Sequence, residues 1–220
     1  LQDSNGVIGL SSTVKKQTKP LEMLPNQSVL QIASGADHLC MLTSNGDIYS
    51  VGAGEQGQLG RVAECFSSRG GRKGLKVVLE PSKVYCRKIR GAGKIKFNDV
   101  WCSAYCTYAR VEGVGVFGWG LNNYHHLGVE DTRTWFVPQL LTSCSKLKIT
   151  SISGGQHHTV LLDDNGDVYS WGMGSSLQLG TGEEDDEYTP VIVKGKQLET
   201  RKVIMVSVGG QHTVLLAVDN

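Results

Sequence analysis

The sequence has little proline and almost no net charge. Only 5 of its 220 residues are proline, and the formal net charge is +1. Because neither sign of charge prevails, recognition of a partner through overall charge is excluded, and electrostatic partners must be sought in local clusters. No apolar stretch approaches the ~20 residues of a membrane-spanning helix, and the first residues do not have the pattern of a signal peptide. We therefore expect no membrane partner.

The six cysteines follow no regular spacing. Without a secretory signal, such cysteines are expected to be free thiols in a reducing compartment. Cys102 and Cys106 would share one face of a strand, but no pair of Cys or His residues completes a zinc set near them. Since structural zinc requires four converging ligands, we expect no metal and no other cofactor.

Glycine is abundant where proline is scarce. The chain contains 28 glycines among its 220 residues, nearly twice the usual share of ~7%. This excess predicts many tight turns between short strands. Apolar residues make up 40% and charged residues 20% of the sequence, proportions typical of a folded globular protein. The composition therefore favours an all-β protein over a helical bundle.

One pattern recurs along the chain: Gly-x-x-His or its equivalent, an apolar run, Asn-Gly-Asp, an aromatic segment ending in glycine, and Gln-Leu-Gly. The pattern is clearest in "SGADHLCMLTSNGDIYSVGAGEQGQLG" and "GGQHHTVLLDDNGDVYSWGMGSSLQLG". We assign whole units to 34–60, 102–128 and 154–180, and half units to 1–10 and 209–220.

The spacing of these units predicts the fold. Their closing glycines, Gly9, Gly60, Gly128 and Gly180, are 51, 68 and 52 residues apart. A period near ~50 residues with strand–turn–strand content is typical of β-propeller blades. "NG" between two strands predicts a hairpin in which both residues accept positive φ, and the apolar runs predict strands buried between neighbouring sheets. The glycines before each His are expected to permit a bend.

The middle interval is longer because residues 61–98 form an oversized connection rich in lysine and arginine. Such an excess usually maps to a loop that projects from one face. The basic residues are either a solvated charged face or a binding surface for carboxylates and phosphates. The sequence leaves both interpretations open.

The repeats resemble those of the regulator of chromosome condensation family, which comprises chromatin-bound nucleotide exchange factors for the small GTPase Ran. The strings "EQGQLGR", "RGGRKGL", "LNNYHHLG", "SGGQHHTV" and "GGQHTVLL" carry the resemblance, which covers nearly the whole chain. It implies an all-β β-propeller of seven blades, of which three whole and two half units, about four blades, are present in this chain. We expect 1–220 to form one incomplete propeller domain.

The resemblance also implies a Ran-binding face. Asp37, His125, His157 and His212 match polar residues of that face, with His157 and His212 taken as equivalent positions. His38 and His158 are instead expected to hydrogen-bond blade edges. A projecting wedge is implied at the chain start, with its tip at Asp3, Ser4, Asn5 and Gly6, although Gln2 stands where the family has a basic residue.

The oversized basic connection has a family counterpart that contacts chromatin. The resemblance implies that it docks on the histone acidic patch of the nucleosome and that neighbouring residues contact DNA phosphates without sequence specificity. The residues concerned are Arg69, Arg72, Lys73, Arg90, Lys94 and Lys96.

Two functions follow as expectations. The first is a nuclear, chromatin-associated exchange factor for Ran, which performs no bond-making chemistry and therefore needs no nucleophile. The alternative is a non-catalytic propeller scaffold that binds proteins. A hydrolase or metal enzyme finds no support, because the histidines recur with the repeat and no nucleophile is paired with a base.

Overall fold

The structure is a computed structural model, and it describes residues 19–20, 22–68, 76–87 and 93–220. Helical structure in this part of the chain is brief: one α-helical turn, α1 (Lys76–Leu79), and 3₁₀ turns at Glu64–Phe66 and Thr142–Cys144. None of the helices described is long and apolar enough to cross a membrane. The wedge residues Asp3, Ser4, Asn5 and Gly6 lie outside the described residues.

The described strands form three four-stranded antiparallel meanders and one two-stranded sheet, in which strands adjacent in sequence are adjacent in space. The first sheet contains β1 (Val29–Ser34), β2 (His38–Thr43), β3 (Ile48–Gly52) and β4 (Ser82–Lys83). The second contains β5 (Asp99–Cys102), β6 (Cys106–Val111), β7 (Gly115–Gly120) and β8 (Trp135–Leu140). The third contains β9 (Ile149–Gly154), β10 (His158–Asp163), β11 (Val168–Gly172) and β12 (Glu187–Ile192), and the last contains β13 (Arg201–Val208) and β14 (Thr213–Asp219).

The predicted Asn-Gly hairpins are present, but the turn differs from the expected one. Between β2 and β3, Gly46 N–H donates to the Thr43 carbonyl and Thr43 N–H donates to Asp47, both at 2.9 Å. Gly46 has φ of 73°, whereas Asn45 is not among the residues with positive φ. These bonds describe a longer loop with one left-handed residue at its end, so only the glycine needs the left-handed region.

The second strand of each four-stranded sheet is almost completely buried, as the apolar runs predicted. All six residues of β10 are buried, and so are five of six in β2 and in β6. The third strand binds the closing Gln-Leu-Gly of its unit, because Ser50 Oγ donates to the Leu59 carbonyl at 2.7 Å and Ser170 Oγ to the Leu179 carbonyl at 2.8 Å. The Tyr-Ser and Gln-Leu-Gly elements of the repeat are therefore in direct contact.

The described chain divides into two compact units. The first contains the chain up to Leu121 together with Thr134–Leu140, and hence the first two sheets. The second contains Asn122–Arg133 and Leu141–Asn220, and hence the third sheet and the β13–β14 hairpin. That the whole chain is a single propeller domain stays a prediction.

Part of the oversized connection folds back onto the first sheet. Arg61 donates to the carbonyl oxygens of Ser50 at 3.0 Å, Val77 at 2.6 Å and Glu80 at 3.1 Å. Val78 and Leu79 are buried in a cluster with Leu59 and Val62, and the chain then forms β4. The connection is thus a packed segment at both ends, rather than a loop throughout.

Candidate functional site

The Gly-x-x-His motif joins neighbouring sheets within each unit through a hydrogen-bond network. In the first unit, His38 Nε2 lies 2.9 Å from Thr107 Oγ1, and that hydroxyl donates to the Gln58 carbonyl at 3.0 Å. The same carbonyl accepts the indole N–H of Trp119 at 2.9 Å. We call His38, Thr107 and Gln58 the first His–Thr network.

The network determines which nitrogen of His38 carries the proton. A threonine hydroxyl has one hydrogen, and Thr107 gives it to Gln58, so His38 must donate through Nε2. Its Nδ1 then carries a lone pair, and this buried atom has no hydrogen-bond partner among the described residues. Burial lowers the pKa of His38 to about 4, so the ring is neutral at pH 7.

The second His–Thr network, formed by His158, Thr213 and Gln178, repeats this arrangement in the second unit. His158 Nε2 lies 2.8 Å from Thr213 Oγ1, which donates to the Gln178 carbonyl at 2.8 Å. Burial lowers the pKa of His158 to about 4, and the neighbouring His126, His157 and His212 add to the effect. The prediction that His38 and His158 hydrogen-bond blade edges is confirmed.

At two of the three repeats, the motif glycine makes room for the imidazole rather than for a bend. Gly35 is not in the left-handed region, but a Cβ placed on it would overlap the His38 ring. Gly209 stands in the same relation to the His212 ring. A side chain at either position would therefore displace the histidine.

The equivalence of His157 with His212 was wrong. Gly35 N–H bonds to the His38 carbonyl, Gly155 to His158 and Gly209 to His212, each at 2.9 Å. His212 therefore occupies the position of His38 and His158, and in this chain its side chain is exposed. The error arose because the double histidine of "GGQHH" permits two alignments.

His157 is instead equivalent to Asp37. The backbone carbonyl of each accepts a hydrogen bond from the residue that follows the third strand, Ala53 N–H at 2.7 Å for Asp37 and Met173 N–H at 2.9 Å for His157. Their side chains are half-buried. Neither makes a side-chain hydrogen bond to another described residue, and the unpaired Nδ1 of His157 is buried.

His157 belongs to a cluster of aromatic and histidine rings in the second unit. Its ring meets Tyr124 edge-on with a centroid separation of 5.3 Å, and the His126 ring lies 6.5 Å away. His126 Nε2 donates to the Gln156 carbonyl at 2.7 Å. Burial is the main cause that lowers the pKa of His126, and the nearby imidazoles of His157 and His125 add to it.

His125, also implied as a binding residue, is held at the edge of this cluster. Its ring stacks on Tyr188 at 4.1 Å, and its Nδ1 donates to the Val129 carbonyl at 2.9 Å. His125 has φ of 56°. Gly57 and Leu177 occupy the same position in the other two repeats, with φ of 75° and 59°. The left-handed conformation is thus a property of the repeat and is not specific to His125.

Two of the predicted chromatin-binding residues are described. Lys94 and Lys96 are exposed and line a cleft with Asn98 and Glu112. Arg69, Arg72, Lys73 and Arg90 lie outside the described residues.

Sequence reasoning missed one cluster. His38, Cys40 and Cys102 each offer a ligand atom within 4.8 Å of the others, although Cys102 is remote from the other two in sequence. All six cysteines are free thiols. Only the packing of β1 and β2 against β5 could have revealed the cluster.

Comparison with known proteins agrees with the repeat pattern. The sequence profile described as the RCC1-like domain matches residues 2–220. The regulator of chromosome condensation of Xenopus laevis is 42% identical over 268 residues, which cover 98% of this chain and 63% of the relative. The human protein of that name is 41% identical over 271 residues, covering 99% and 64%. The chain thus spans less than two thirds of the length of these relatives, and the aligned regions exceed its 220 residues by about one repeat.

Solved structures show the same fold at low sequence identity. Yeast RCC1 (Prp20), solved bound to Kap60, superposes with a TM-score of 0.79 at 22% identity over 99% of this chain and 48% of that chain. Human WBSCR16 superposes with a TM-score of 0.74 at 22% identity over 97% of this chain and 51% of that chain. Together with the profile match, these likenesses confirm the predicted fold class: the chain is a partial β-propeller that belongs to the RCC1-like domain family.

Proposed function

We propose that this protein is a guanine nucleotide exchange factor for the GTPase Ran that acts in the nucleus on chromatin. The proposal is supported by the 41–42% identity to regulators of chromosome condensation over nearly the whole chain. The observation that carries it is that Asp37 and His157, equivalent positions of two repeats, both present polar side chains that no described residue satisfies.

Exchange requires no bond-making step. An exchange factor binds the nucleotide-free GTPase more tightly than the loaded one, and by linkage it weakens nucleotide binding by the same factor. Polar side chains such as Asp37 and His157 suit this task, because a hydrogen bond left unmade in a buried interface costs ~1–3 kcal/mol. His125, Tyr124 and the exposed His212 would extend the contact surface within the second unit.

The test is release of a fluorescent guanine nucleotide from purified Ran in excess unlabelled nucleotide. Release should accelerate in proportion to the concentration of this protein, for GDP and GTP alike. A chain that binds Ran without accelerating release would support the scaffold function instead.

Chromatin binding is the second part of the proposal. The exposed Lys94 and Lys96 are suited to phosphate contacts, and the same connection carries Arg69 and Arg72 earlier in its sequence. Arginine pairs with carboxylates through two parallel hydrogen bonds, as an acidic histone surface requires.

Binding of variants to nucleosomes and to naked DNA distinguishes the histone contacts from the DNA contacts. Replacing Arg69 and Arg72 together by alanine should weaken nucleosome binding and leave naked DNA binding unchanged. Lys94→Ala should lower the salt dependence of binding by about one counterion. Equal losses on nucleosomes and naked DNA from the arginine pair would indicate phosphate binding alone.

A further inference from the structure

The first His–Thr network contains two cysteines that its hydrogen bonds do not require. Cys40 Sγ lies 3.7 Å and Cys102 Sγ 3.9 Å from Thr107 Oγ1, the atom that also contacts His38 Nε2 at 2.9 Å. The ligand atoms of His38, Cys40 and Cys102 lie within 4.8 Å of one another. One nitrogen, two sulfurs and one oxygen from β2, β5 and β6 therefore lie close together.

We propose that His38, Cys40 and Cys102, with the Thr107 hydroxyl as fourth donor, form a binding site for Zn²⁺. Zinc bonds of about 2.3 Å to sulfur and 2.0–2.1 Å to nitrogen or oxygen place the ligand atoms of a tetrahedral site roughly 3.3–3.8 Å apart. The distances from Thr107 Oγ1 are 2.9, 3.7 and 3.9 Å, within about half an ångström of these values, and the separations among the other three ligand atoms, all within 4.8 Å, need to shorten by up to about one ångström.

The second His–Thr network provides an internal comparison. Val160 follows His158 by two residues, as Cys40 follows His38, and Val208 precedes Thr213 by five residues, as Cys102 precedes Thr107. The second network forms with the same geometry around these valines, at 2.8 Å between His158 and Thr213. The thiols are therefore an addition to the network, and their alternative role is the packing that valine performs in the second copy.

The proton balance of the site is simple. Binding of Zn²⁺ forms two zinc–thiolate bonds and releases the two thiol protons to solvent. The proton of His38 moves from Nε2 to Nδ1, which frees the Nε2 lone pair for the metal. In the metal-free protein Nδ1 has no hydrogen-bond partner among the described residues, so its lone pair is available for this proton. Thr107 keeps its hydrogen bond to Gln58 and coordinates through a lone pair.

Because the site is buried, the metal must enter as the first unit folds. The full chain should therefore be refolded under reducing conditions with Co²⁺, which substitutes for zinc and reports thiolate ligation by a near-ultraviolet charge-transfer band. We expect one Co²⁺ per chain, displaced by Zn²⁺, and zinc should raise Tm by about 5–10 °C at a hundredfold excess over Kd.

Matched variants decide whether the named residues hold the ion. Cys40→Val and Cys102→Val copy the second network, so they should fold and keep the metal-free Tm while losing the cobalt band and the zinc-dependent rise. Cys65→Ser, at an exposed thiol, should retain both. The proposal is overturned if the refolded chain shows no thiolate–cobalt band, if Cys40→Val retains it, or if Cys65→Ser abolishes it.

Discussion

His158 donates a hydrogen bond of 2.8 Å to Thr213, which lies 55 residues further along the chain. His38 and Thr107 make the equivalent bond over 69 residues. In both pairs the threonine passes its own hydrogen to the backbone of a Gln-Leu-Gly segment. Three elements of the repeat that are far apart in sequence thus meet at one hydroxyl group.

Loss of this hydroxyl should destabilise the second unit. In Thr213→Val, the buried Nε2–H of His158 and the Gln178 carbonyl lose their partner, and an unsatisfied buried polar group costs ~1–3 kcal/mol. We expect the free energy of unfolding to fall by about 2 kcal/mol in urea titrations. Thr213→Ser keeps the hydroxyl and serves as control. Equal losses in the two variants would show that the methyl group, not the network, contributes the stability.

Stability should decrease as the solution becomes acidic. The pKa of His158 is about 4 in the folded protein and about 6.5 when unfolded, so the unfolded state binds the proton more readily. The contribution is complete above pH 6.5 and is lost as the pH falls towards 4. Screening by solvent limits it to roughly 2 kcal/mol.

The pH effect can be measured by urea unfolding at a series of pH values in the presence of a chelator. His158→Gln removes the titrating group, so its stability should depend less steeply on pH between 6.5 and 4 than that of the unmodified chain. Parallel pH profiles of the two proteins would rule out His158 as the source.

His157→Ala should impair exchange without impairing the fold. The ring is half-buried and makes no hydrogen bond to a described residue, so its loss costs little stability. If it contacts Ran, nucleotide release should slow by about tenfold, the equivalent of ~1.4 kcal/mol. His38→Ala, which breaks the first His–Thr network, should lower Tm instead. An early melt of His157→Ala with normal exchange by its folded fraction would assign His157 a structural role.

Leu177→Gly should stabilise the protein. Leu177 adopts φ of 59° and its side chain is 52% exposed, so glycine relieves the left-handed conformation with little loss of packing. The expected gain is about 0.5–1 kcal/mol, reduced by the greater freedom of glycine in the unfolded chain. Leu177→Ala keeps the strain and should bring no gain. A thermal melt of both variants makes the comparison, and a lower Tm for Leu177→Gly would contradict it.

Arg61→Lys should release the basic connection from the first sheet. The guanidinium bridges the carbonyls of Ser50, Val77 and Glu80, and one ammonium group cannot reproduce those fixed directions. We expect faster proteolytic cleavage within residues 64–83 and weaker nucleosome binding, while exchange on Ran stays unchanged. Unaltered proteolysis in Arg61→Lys would show that Val78 and Leu79 hold the connection by packing alone.

Much of the architecture could be predicted from local sequence. Period, glycine placement and apolar runs are local signals, because strand alternation and turn chemistry act over a few residues. They located the β2–β3 and β10–β11 hairpins and the blade-edge roles of His38 and His158. They did not determine the turn type at Gly46, because a type I turn and a primed turn both accept Asn-Gly.

The site depended on tertiary structure. The register of "GGQHH" against "GGQH" became clear only from the Gly155 and Gly209 backbone hydrogen bonds, since a one-residue shift exchanges an inward for an outward side chain. Likewise, Cys40 and Cys102 are 62 positions apart, and no local pattern brings their sulfurs together. Sequence periodicity therefore determined the blades, and the packing of one sheet against the next determined which polar side chains are hydrogen-bonded within the fold.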